Sequence, residues 1–134
     1  FKLKTLTNTS GQTTGAYNNY TDSLGFVIPQ LEAGRSDTIT FRLGAGSFNA
    51  NNTTTAWIDY NQDGDFDDAG EFVSTASRYN TKPFSSNITI PSTANVGTTI
   101  MRVRTTLNAY LYSNNSCNTN QYGDVTDFVV NILL

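Results

Sequence analysis

Short stretches in which apolar and polar residues alternate make up much of this chain. The clearest contains Ile39, Phe41 and Leu43, which would share one face of a strand, and Met101 and Val103 repeat the spacing. We find no segment that keeps the apolar spacing of a helix together with suitable capping residues. The pattern predicts eight short strands, over residues 1–7, 25–28, 38–43, 55–60, 71–76, 87–90, 98–106 and 125–133.

Clusters rich in Asn, Gly, Ser and Thr separate the predicted strands and indicate loops, for example over residues 8–15 and 44–53. A strand with one apolar face buries that face against another layer of structure. We therefore expect an all-β fold, a two-sheet antiparallel β-sandwich of jelly-roll or immunoglobulin-like type. Residues 1–134 show no internal repeat and no linker, so we expect a single domain.

The composition removes several classes of function. Charged residues make up 14% of the 134 residues, against about 25% in a typical globular protein. With no His and one Cys, the sequence excludes Ser-His-Asp catalysis, a histidine-ligated zinc site and a disulfide within the chain. The net charge of -3 argues against nucleic acid, and no apolar run is long enough to cross a membrane. Because the sequence starts at Phe1 without a Met, we expect a module of a larger protein.

An acidic segment is the strongest chemical signal, since six of the 11 acidic residues lie between positions 59 and 71. Like charges this close repel one another unless a cation neutralises them. Oxygen-bearing side chains at the first, third and fifth positions of a loop, followed by Gly at the sixth, are typical of calcium loops. Asp59, Asn61, Asp63 and Gly64 have that spacing. The pattern favours calcium, and a solvated acidic loop without an ion is the alternative.

The predicted site differs from an EF-hand, because strands flank it and Glu71 comes at the thirteenth position instead of the twelfth. Asp65 would bind through its side chain or backbone, Glu71 would close the site, and Asp67 or Asp68 would replace or supplement another ligand. Mg²⁺ is less suitable, because its small octahedral shell rarely accepts so many protein ligands. The predicted metal ligands are Asp59, Asn61, Asp63, Asp65, Asp67 and Glu71.

Three segments together resemble the GEVED domain family. Residues 56–71, which read AWIDYNQDGDFDDAGE, are similar to the central loop of that family, and residues 90–104, IPSTANVGTTIMRVR, to its next block. Residues 122–128, YGDVTDF, stand where the family has its Gly-Glu-Val-Glu-Asp-Tyr motif. The order and spacing of the segments agree with the family, and the first fifty residues match it only loosely.

The resemblance implies a calcium-containing, non-catalytic β-sandwich accessory module of secreted or cell-surface bacterial proteins, such as proteases, glycan-degrading enzymes and adhesin-like proteins. Asp124 and Thr126 stand where the family motif has Glu, so a second ion site there would lack one carboxylate. For Asp127 we favour a hydrogen bond to a neighbouring loop over a metal role. Family members often pair a cysteine near Cys117 with one near the N-terminus, so Cys117 is expected to be free or paired outside this chain.

Several tyrosines lie in polar, Asn-rich segments, whereas Trp57 lies on a predicted strand and is expected in the core. An exposed tyrosine can stack on the apolar face of a sugar ring while amide and guanidinium groups bind its hydroxyls. The alternative is that these rings fold back onto the ends of the sandwich. The candidate ligand-binding residues are Tyr17, Tyr20, Arg78, Tyr79, Tyr110 and Tyr112.

Five of the 8 basic residues lie on predicted strands, opposite the apolar positions. Such a face suits an anionic polysaccharide, because guanidinium groups pair bidentately with carboxylate or sulfate. Protection of exposed sheet surface is an equally good explanation. The five residues are Lys2, Lys4, Arg42, Arg102 and Arg104.

These observations favour a binding module over an enzyme, because calcium is the better use for the dense carboxylates and no acid–base pair remains. Our first hypothesis is a calcium-stabilised carbohydrate-binding accessory module, monomeric within a multidomain secreted chain, with polysaccharide as its partner. An anionic polysaccharide is one form of this hypothesis. The alternative is a calcium-rigidified spacer or protein-adhesion module without a glycan ligand.

Overall fold

Two β-sheets account for all the regular structure of the described residues, which confirms the all-β prediction. The computed structural model describes residues 2–3, 6–7, 17–19, 21, 27–41, 52–78, 83–107, 116–117 and 123–134. This part of the chain contains no helix of the length and hydropathy that a membrane span requires. The strands are β1 (Lys2–Leu3), β2 (Leu6–Thr7), β3 (Tyr17–Asn19), β4 (Gln30–Glu32), β5 (Ser36–Phe41), β6 (Asn52–Ile58), β7 (Phe72–Arg78), β8 (Phe84–Thr89), β9 (Gly97–Leu107) and β10 (Gly123–Leu133).

The smaller sheet has four strands in the order β2-β1-β5-β8, all antiparallel. The larger sheet has six strands, in the order β3-β10-β9-β6-β7 with β4 also paired to β10. Within the larger sheet β3 and β4 run parallel to β10, and the other pairs are antiparallel. The predicted antiparallel arrangement is therefore wrong for β3 and β4, because both reach β10 from a distant part of the chain and not through a hairpin.

One apolar cluster contains side chains from both sheets. Ile39 and Phe41 of β5 and Met101 and Val103 of β9 all belong to it, which confirms that each pair shares a buried face. This result follows from the two-residue period of a strand, which turns alternate side chains to the same side. The other buried members are Leu3, Leu31, Ala56, Ile58, Tyr60, Ile88, Ile90, Phe128, Val130 and Ile132.

The short strands differ most from the sequence prediction. The strand predicted over residues 1–7 is two strands, β1 and β2, that pair with each other. Val27 and Ile28, predicted to lie on a strand, precede β4 and are 63% and 40% exposed, whereas Leu31 within β4 is fully buried. Pairing with β10, and not local hydrophobicity, decides where this short strand lies.

The six-stranded sheet also buries residues on its other face, which we call the outer face and which carries Trp57, Ile100, Arg102 and Asp127. Trp57 is fully buried, as predicted, but it packs with Phe66, Phe72 and Ile100 instead of with the main cluster. The rings of Trp57 and Phe72 meet edge to face, with their centroids 5.8 Å apart. The larger sheet therefore has buried side chains on both faces.

The outer face also corrects the prediction that Arg102 and Arg104 point to solvent. Arg104 is 2% exposed, and burial, together with the neighbouring charge of Arg102, lowers its pKa. The Arg102 guanidinium is held by Asp127 on the next strand. The side chains of Lys2, Lys4 and Arg42 lie outside the described residues. Strand alternation places a side chain on a face, but it does not show whether that face is covered.

Candidate metal centre

The acidic loop connects β6 to β7 and occupies residues 59–71. Backbone hydrogen bonds fix both of its ends: Ile58 N donates to Glu71 O at 2.9 Å, and Asp59 N donates to Ile100 O of β9 at 3.1 Å. A register shift between β6 and β7 at Ala56 and Trp57 precedes the loop. The two strands therefore hold the start and the end of the acidic segment side by side, as the strand–loop–strand prediction requires.

Two of the predicted ligands, Asp59 and Glu71, are buried at the base of the loop, 4% and 2% exposed. The Asp59 carboxylate accepts hydrogen bonds from Gln62 N at 2.6 Å and Gly64 N at 3.1 Å. The Glu71 carboxylate accepts from Tyr60 N at 3.0 Å and from the backbone amide of Asp68 at 3.3 Å. Both side chains satisfy backbone amides of the loop, so they shape it from within.

Above that base, alternate side chains each accept the backbone amide two residues later. Asn61 Oδ1 accepts from Asp63 N at 3.1 Å, Asp63 Oδ1 from Asp65 N at 3.2 Å, and Asp65 Oδ1 from Asp67 N at 2.9 Å. This succession of Asx turns lets short polar side chains replace the backbone pairing that a loop lacks. Gly64 has φ of 95°, which a residue with a Cβ rarely adopts.

Three exposed carboxylates come together on this framework: Asp63, Asp65 and Asp68 each offer an oxygen, and these oxygens all lie within 4.8 Å of one another. The Asn61 amide donates to Asp63 Oδ2 at 2.9 Å and to Asp68 Oδ2 at 2.6 Å, so it links two members of the group. Asp67 does not belong to the group. The structure thus brings together three of the six predicted ligands, Asn61, Asp63 and Asp65, with Asp68 as the third carboxylate.

The pKa values of one exposed acid and one buried acid, Asp63 and Glu71, shift in opposite directions. The backbone amide of Asp65, with help from the Asn61 side chain, lowers the pKa of Asp63, because both donate hydrogen bonds to its ionised form. Burial raises the pKa of Glu71, although the amides of Asp68 and Tyr60 act in the opposite direction. The exposed acid is therefore held ionised, which a cation requires of its ligands.

The exposed group fits a hard divalent cation. Carboxylate oxygens are the ligands that such ions prefer, and these three are accessible, converge, and carry charge that nothing in the cluster itself neutralises. Asn61 Oδ1 and Asp63 Oδ1 each accept a backbone amide at the turns. The Asp63 carboxylate still has lone pairs that can bind a metal ion. Asp63, Asp65 and Asp68 can therefore hold a metal ion.

Phe66 anchors the loop on the outer face of the six-stranded sheet. Its ring is 5% exposed and packs in the cluster that contains Trp57. The Arg102 guanidinium lies over the ring, 5.0 Å from its centroid, in a cation–π arrangement. An apolar residue between two aspartates of an acidic run is the signal in the sequence that could have identified this anchor.

The connection between β8 and β9 holds the loop from another side. Gln62 has φ of 61°, in the left-handed region, and its Nε2 donates to Asn95 O at 2.9 Å. Asn95 in turn donates its backbone amide to Tyr60 O at 2.8 Å and its side-chain amide to Asn61 O. Nothing in the pattern of the sequence pointed to Asn95, because its contacts are with residues more than thirty positions away.

Asp127, in the segment that resembles the family motif, serves Arg102. Its two carboxylate oxygens accept from Arg102 Nε and Nη2, both at 2.7 Å, and the two side chains are 6% and 17% exposed. Arg102 Nη1 also donates to Ser116 O and to Cys117 Sγ, each at 3.3 Å. The link from Asp127 to the neighbouring loop that we expected thus runs through Arg102. Cys117 is exposed and has no cysteine partner within this chain, and pairing with a cysteine outside it stays a prediction.

The candidate sugar-binding residues fall largely outside what the structure describes. Tyr20, Tyr79, Tyr110 and Tyr112 are not among the described residues. The backbone of Tyr17 belongs to β3 and that of Arg78 to β7, and the placement of their side chains is likewise outside the description. Their role in sugar recognition therefore stays a prediction.

An open cleft of about 410 Å³ lies beside the acidic loop, on the outer face of the six-stranded sheet. Ile28, Ile100 and Val129 give it apolar surface, and Asp59 and Asp63 from the loop line its edge. Asp63 is therefore shared between the cleft and the exposed carboxylates. Neither the cleft nor its lining was evident from the sequence, because the residues come from four separate segments of the chain.

A family model described as the GEVED domain matches residues 53–131, which include the acidic loop, β9 and most of β10. The match extends over more than half of the chain, so this chain belongs to the GEVED domain family. A search of curated proteins found no match.

Proposed function

We propose that this chain is a calcium-stabilised, non-catalytic carbohydrate-binding accessory module of a secreted or cell-surface protein that acts on polysaccharide. The observation that carries the proposal is the convergence of Asp63, Asp65 and Asp68 on an exposed loop that borders an open cleft. The buried carboxylates of Asp59 and Glu71 accept backbone hydrogen bonds, which suits a structural role better than acid–base catalysis.

Calcium is the ion that the loop favours. Calcium accepts six to eight oxygen ligands in flexible geometry, whereas magnesium demands a small, regular octahedron and keeps several waters. Short Asp side chains on successive turns, which converge at Asp63, Asp65 and Asp68, provide a loose oxygen-rich shell. Extracellular calcium modules bind at roughly 10⁻⁴–10⁻³ M, so a millimolar medium would keep such a site largely filled.

The melting temperature, measured with calcium, with magnesium and with a chelator, tests the metal proposal. We expect calcium to raise it, magnesium to raise it less, and the chelator to reverse the increase. Equal melting temperatures in calcium and chelator would contradict the proposal.

Carbohydrate binding is proposed because the cleft combines apolar surface with hydroxyl, amide and carboxylate groups, a combination that suits sugars. Affinity electrophoresis through gels that contain neutral, carboxylated or sulfated polysaccharides tests it directly. We expect retardation in at least one gel, and absence of retardation in all of them would contradict it.

A calcium-rigidified spacer or adhesion module is the second candidate. It is favoured by the bonds that tie the acidic loop to β9 and to the connection between β8 and β9, because these bonds stiffen one end of the molecule. A module that gains stability from calcium and is retarded in none of the gels would fit this function.

For the fold, we propose that the two sheets pack face to face as a β-sandwich. The supporting observation is that one buried cluster draws its side chains from both sheets.

A further inference from the structure

The cleft beside the acidic loop has a specific chemistry. Three aliphatic side chains, those of Ile28, Ile100 and Val129, give it an apolar surface. Thr21 and Thr98 bring hydroxyl groups to it, and Gln62 brings an amide. A ligand in this space would meet apolar surface together with several groups that can donate or accept hydrogen bonds.

The charge of the cleft is negative, since Asp59 and Asp63 are the charged residues in the described lining. The cations nearest in sequence to that lining are engaged elsewhere on the outer face. Arg102 holds Asp127 in a bidentate ion pair, and Arg104 is buried two residues further along β9. A cation on the exposed group would neutralise Asp63 but not Asp59, which lies outside that group and is bonded to backbone amides. The described lining therefore offers no cationic side chain to carboxylate or sulfate groups, which disfavours an anionic polysaccharide.

We propose that the cleft binds a neutral saccharide segment, an inference that rests on the proposed carbohydrate-binding function and names the class of its ligand. A sugar ring places its C–H face on Ile100 and Val129, and its hydroxyls exchange hydrogen bonds with Thr98, Gln62 and Asp63. The volume of about 410 Å³ lies toward the lower end of the range for small-molecule sites. It therefore suits a short stretch of a glycan chain.

The experiment fills the cleft without disturbing the core. Thr98 is an exposed residue of β9, so Thr98→Trp places a bulky ring in the cleft at a position that strands tolerate. Thr89→Trp is the matched control, because Thr89 is an exposed threonine at the end of β8 in the other sheet. Thr98→Val is a milder second variant that removes only the hydroxyl.

The probes are gels of β-glucan, mannan and xylan, which are neutral, and of alginate and carrageenan, which are anionic. We expect the wild-type chain and Thr89→Trp to be retarded in a neutral gel. Thr98→Trp should lose the retardation and Thr98→Val should show less of it, each with a melting temperature close to that of the wild type.

The outcomes separate this inference from the function on which it rests. If both Thr98 variants are retarded as strongly as the wild type, the sugar binds elsewhere and the inference is overturned while carbohydrate binding stands. Retardation in the anionic gels alone would overturn it in the same way. A wild-type chain that is retarded in none of the gels would overturn both.

Discussion

The acidic loop contains two groups of carboxylates that have the same chemistry and different surroundings. Asp59 and Glu71 are buried, and each accepts two backbone amides of the loop. Asp63, Asp65 and Asp68 are exposed and bring oxygens close together. The buried acids are shielded from solvent at the base of the loop, whereas the exposed acids present a concentrated negative charge to solvent.

The difference shows that one dense run of acids can both build a loop and supply its ligands. A buried carboxylate lowers the free energy of the folded loop only while it stays hydrogen-bonded, since burying it unpaired would be costly. The exposed carboxylates of Asp63 and Asp65 also accept backbone amides, but these bonds are open to water and contribute less, and repulsion within the group opposes them until a cation arrives. Stability measured without calcium should therefore report on the buried group, and the response to calcium on the exposed group.

The largest expected effect comes from removing the ring of Phe66, which anchors the loop that carries both groups of carboxylates. Phe66→Ala deletes a buried ring from the cluster that contains Trp57 and takes away the aromatic partner of Arg102. Phe-to-Ala changes at buried sites cost about 3–5 kcal/mol, and we expect a loss of this size in the free energy of unfolding by urea in chelator. Asp67→Ala, the exposed neighbour, is the control. A loss no larger than that of the control would mean that Phe66 does not anchor the loop.

Glu71→Gln should remove a hydrogen bond from the buried group of carboxylates and leave the exposed group unchanged. The amide that replaces one carboxylate oxygen cannot accept a hydrogen bond, so either Tyr60 N or Asp68 N loses its partner in a buried setting. We expect a loss of about 1–3 kcal/mol in the free energy of unfolding, already present in chelator. A loss seen only when calcium is added would instead identify Glu71 as a metal ligand.

Asp68→Asn and Asp67→Asn form a matched pair that tests the exposed group. Asp68 belongs to the converging carboxylates and Asp67 does not, although they are adjacent. Calcium at about ten times its dissociation constant stabilises a protein by about 1.4 kcal/mol, and Asp68→Asn should lose most of the resulting increase in melting temperature. Asp67→Asn should keep it. The reverse result would restore Asp67 to the ligand set that the sequence predicts.

The smallest expected effect is that of Tyr60→Phe, beside the buried group. Among the described residues, the buried Tyr60 hydroxyl has no hydrogen-bond partner, so its removal should change the free energy of unfolding by less than about 1 kcal/mol near neutral pH. A loss of several kcal/mol would show that the hydroxyl is bonded after all.

The same variant should alter the response to alkali. Burial, with a smaller contribution from the charge of Glu71, raises the pKa of Tyr60 well above its usual range in the folded chain. Above a pH of about 10 the unfolded chain ionises this tyrosine while the folded chain does not, so stability falls as the pH rises. In Tyr60→Phe this part of the fall should be absent, and urea unfolding of both proteins from pH 9 to pH 11 measures the difference.

The sequence predicted the long strands well and the short ones poorly. Strands β9 and β10 lie within two residues of their predicted bounds, because each contains a long stretch rich in Thr, Val and Ile that turn residues precede. Strand β3 was not predicted, since Tyr17, Asn18 and Asn19 carry no alternation and form a strand only by pairing with β10. Pairing with a distant strand is a tertiary effect that a local pattern does not contain.

For the candidate site, the spacing of the acids predicted a loop between two strands and the glycine at its turn, and the structure has both. The spacing could not separate Asp59 and Glu71 from the exposed acids, because position in a loop does not determine burial. It also could not choose between Asp67 and Asp68, which are neighbours in sequence and differ in the direction that the turn gives them.

Strand β10 has a consequence for how the chain acquires its structure during synthesis. It pairs with β3, β4 and β9, yet β4 leaves the ribosome about 100 residues before the part of β10 that it contacts. Among the described strands, β3 and β4 therefore have no partner in the larger sheet until β10 emerges, although β1 and β5 can already pair in the smaller sheet. Pairing between strands so far apart in sequence is slow, and the unpaired strands can associate with other chains before it is complete. Strands β6, β7 and β9 can pair before then, so the emergence of β10 sets the earliest moment at which the larger sheet can be completed.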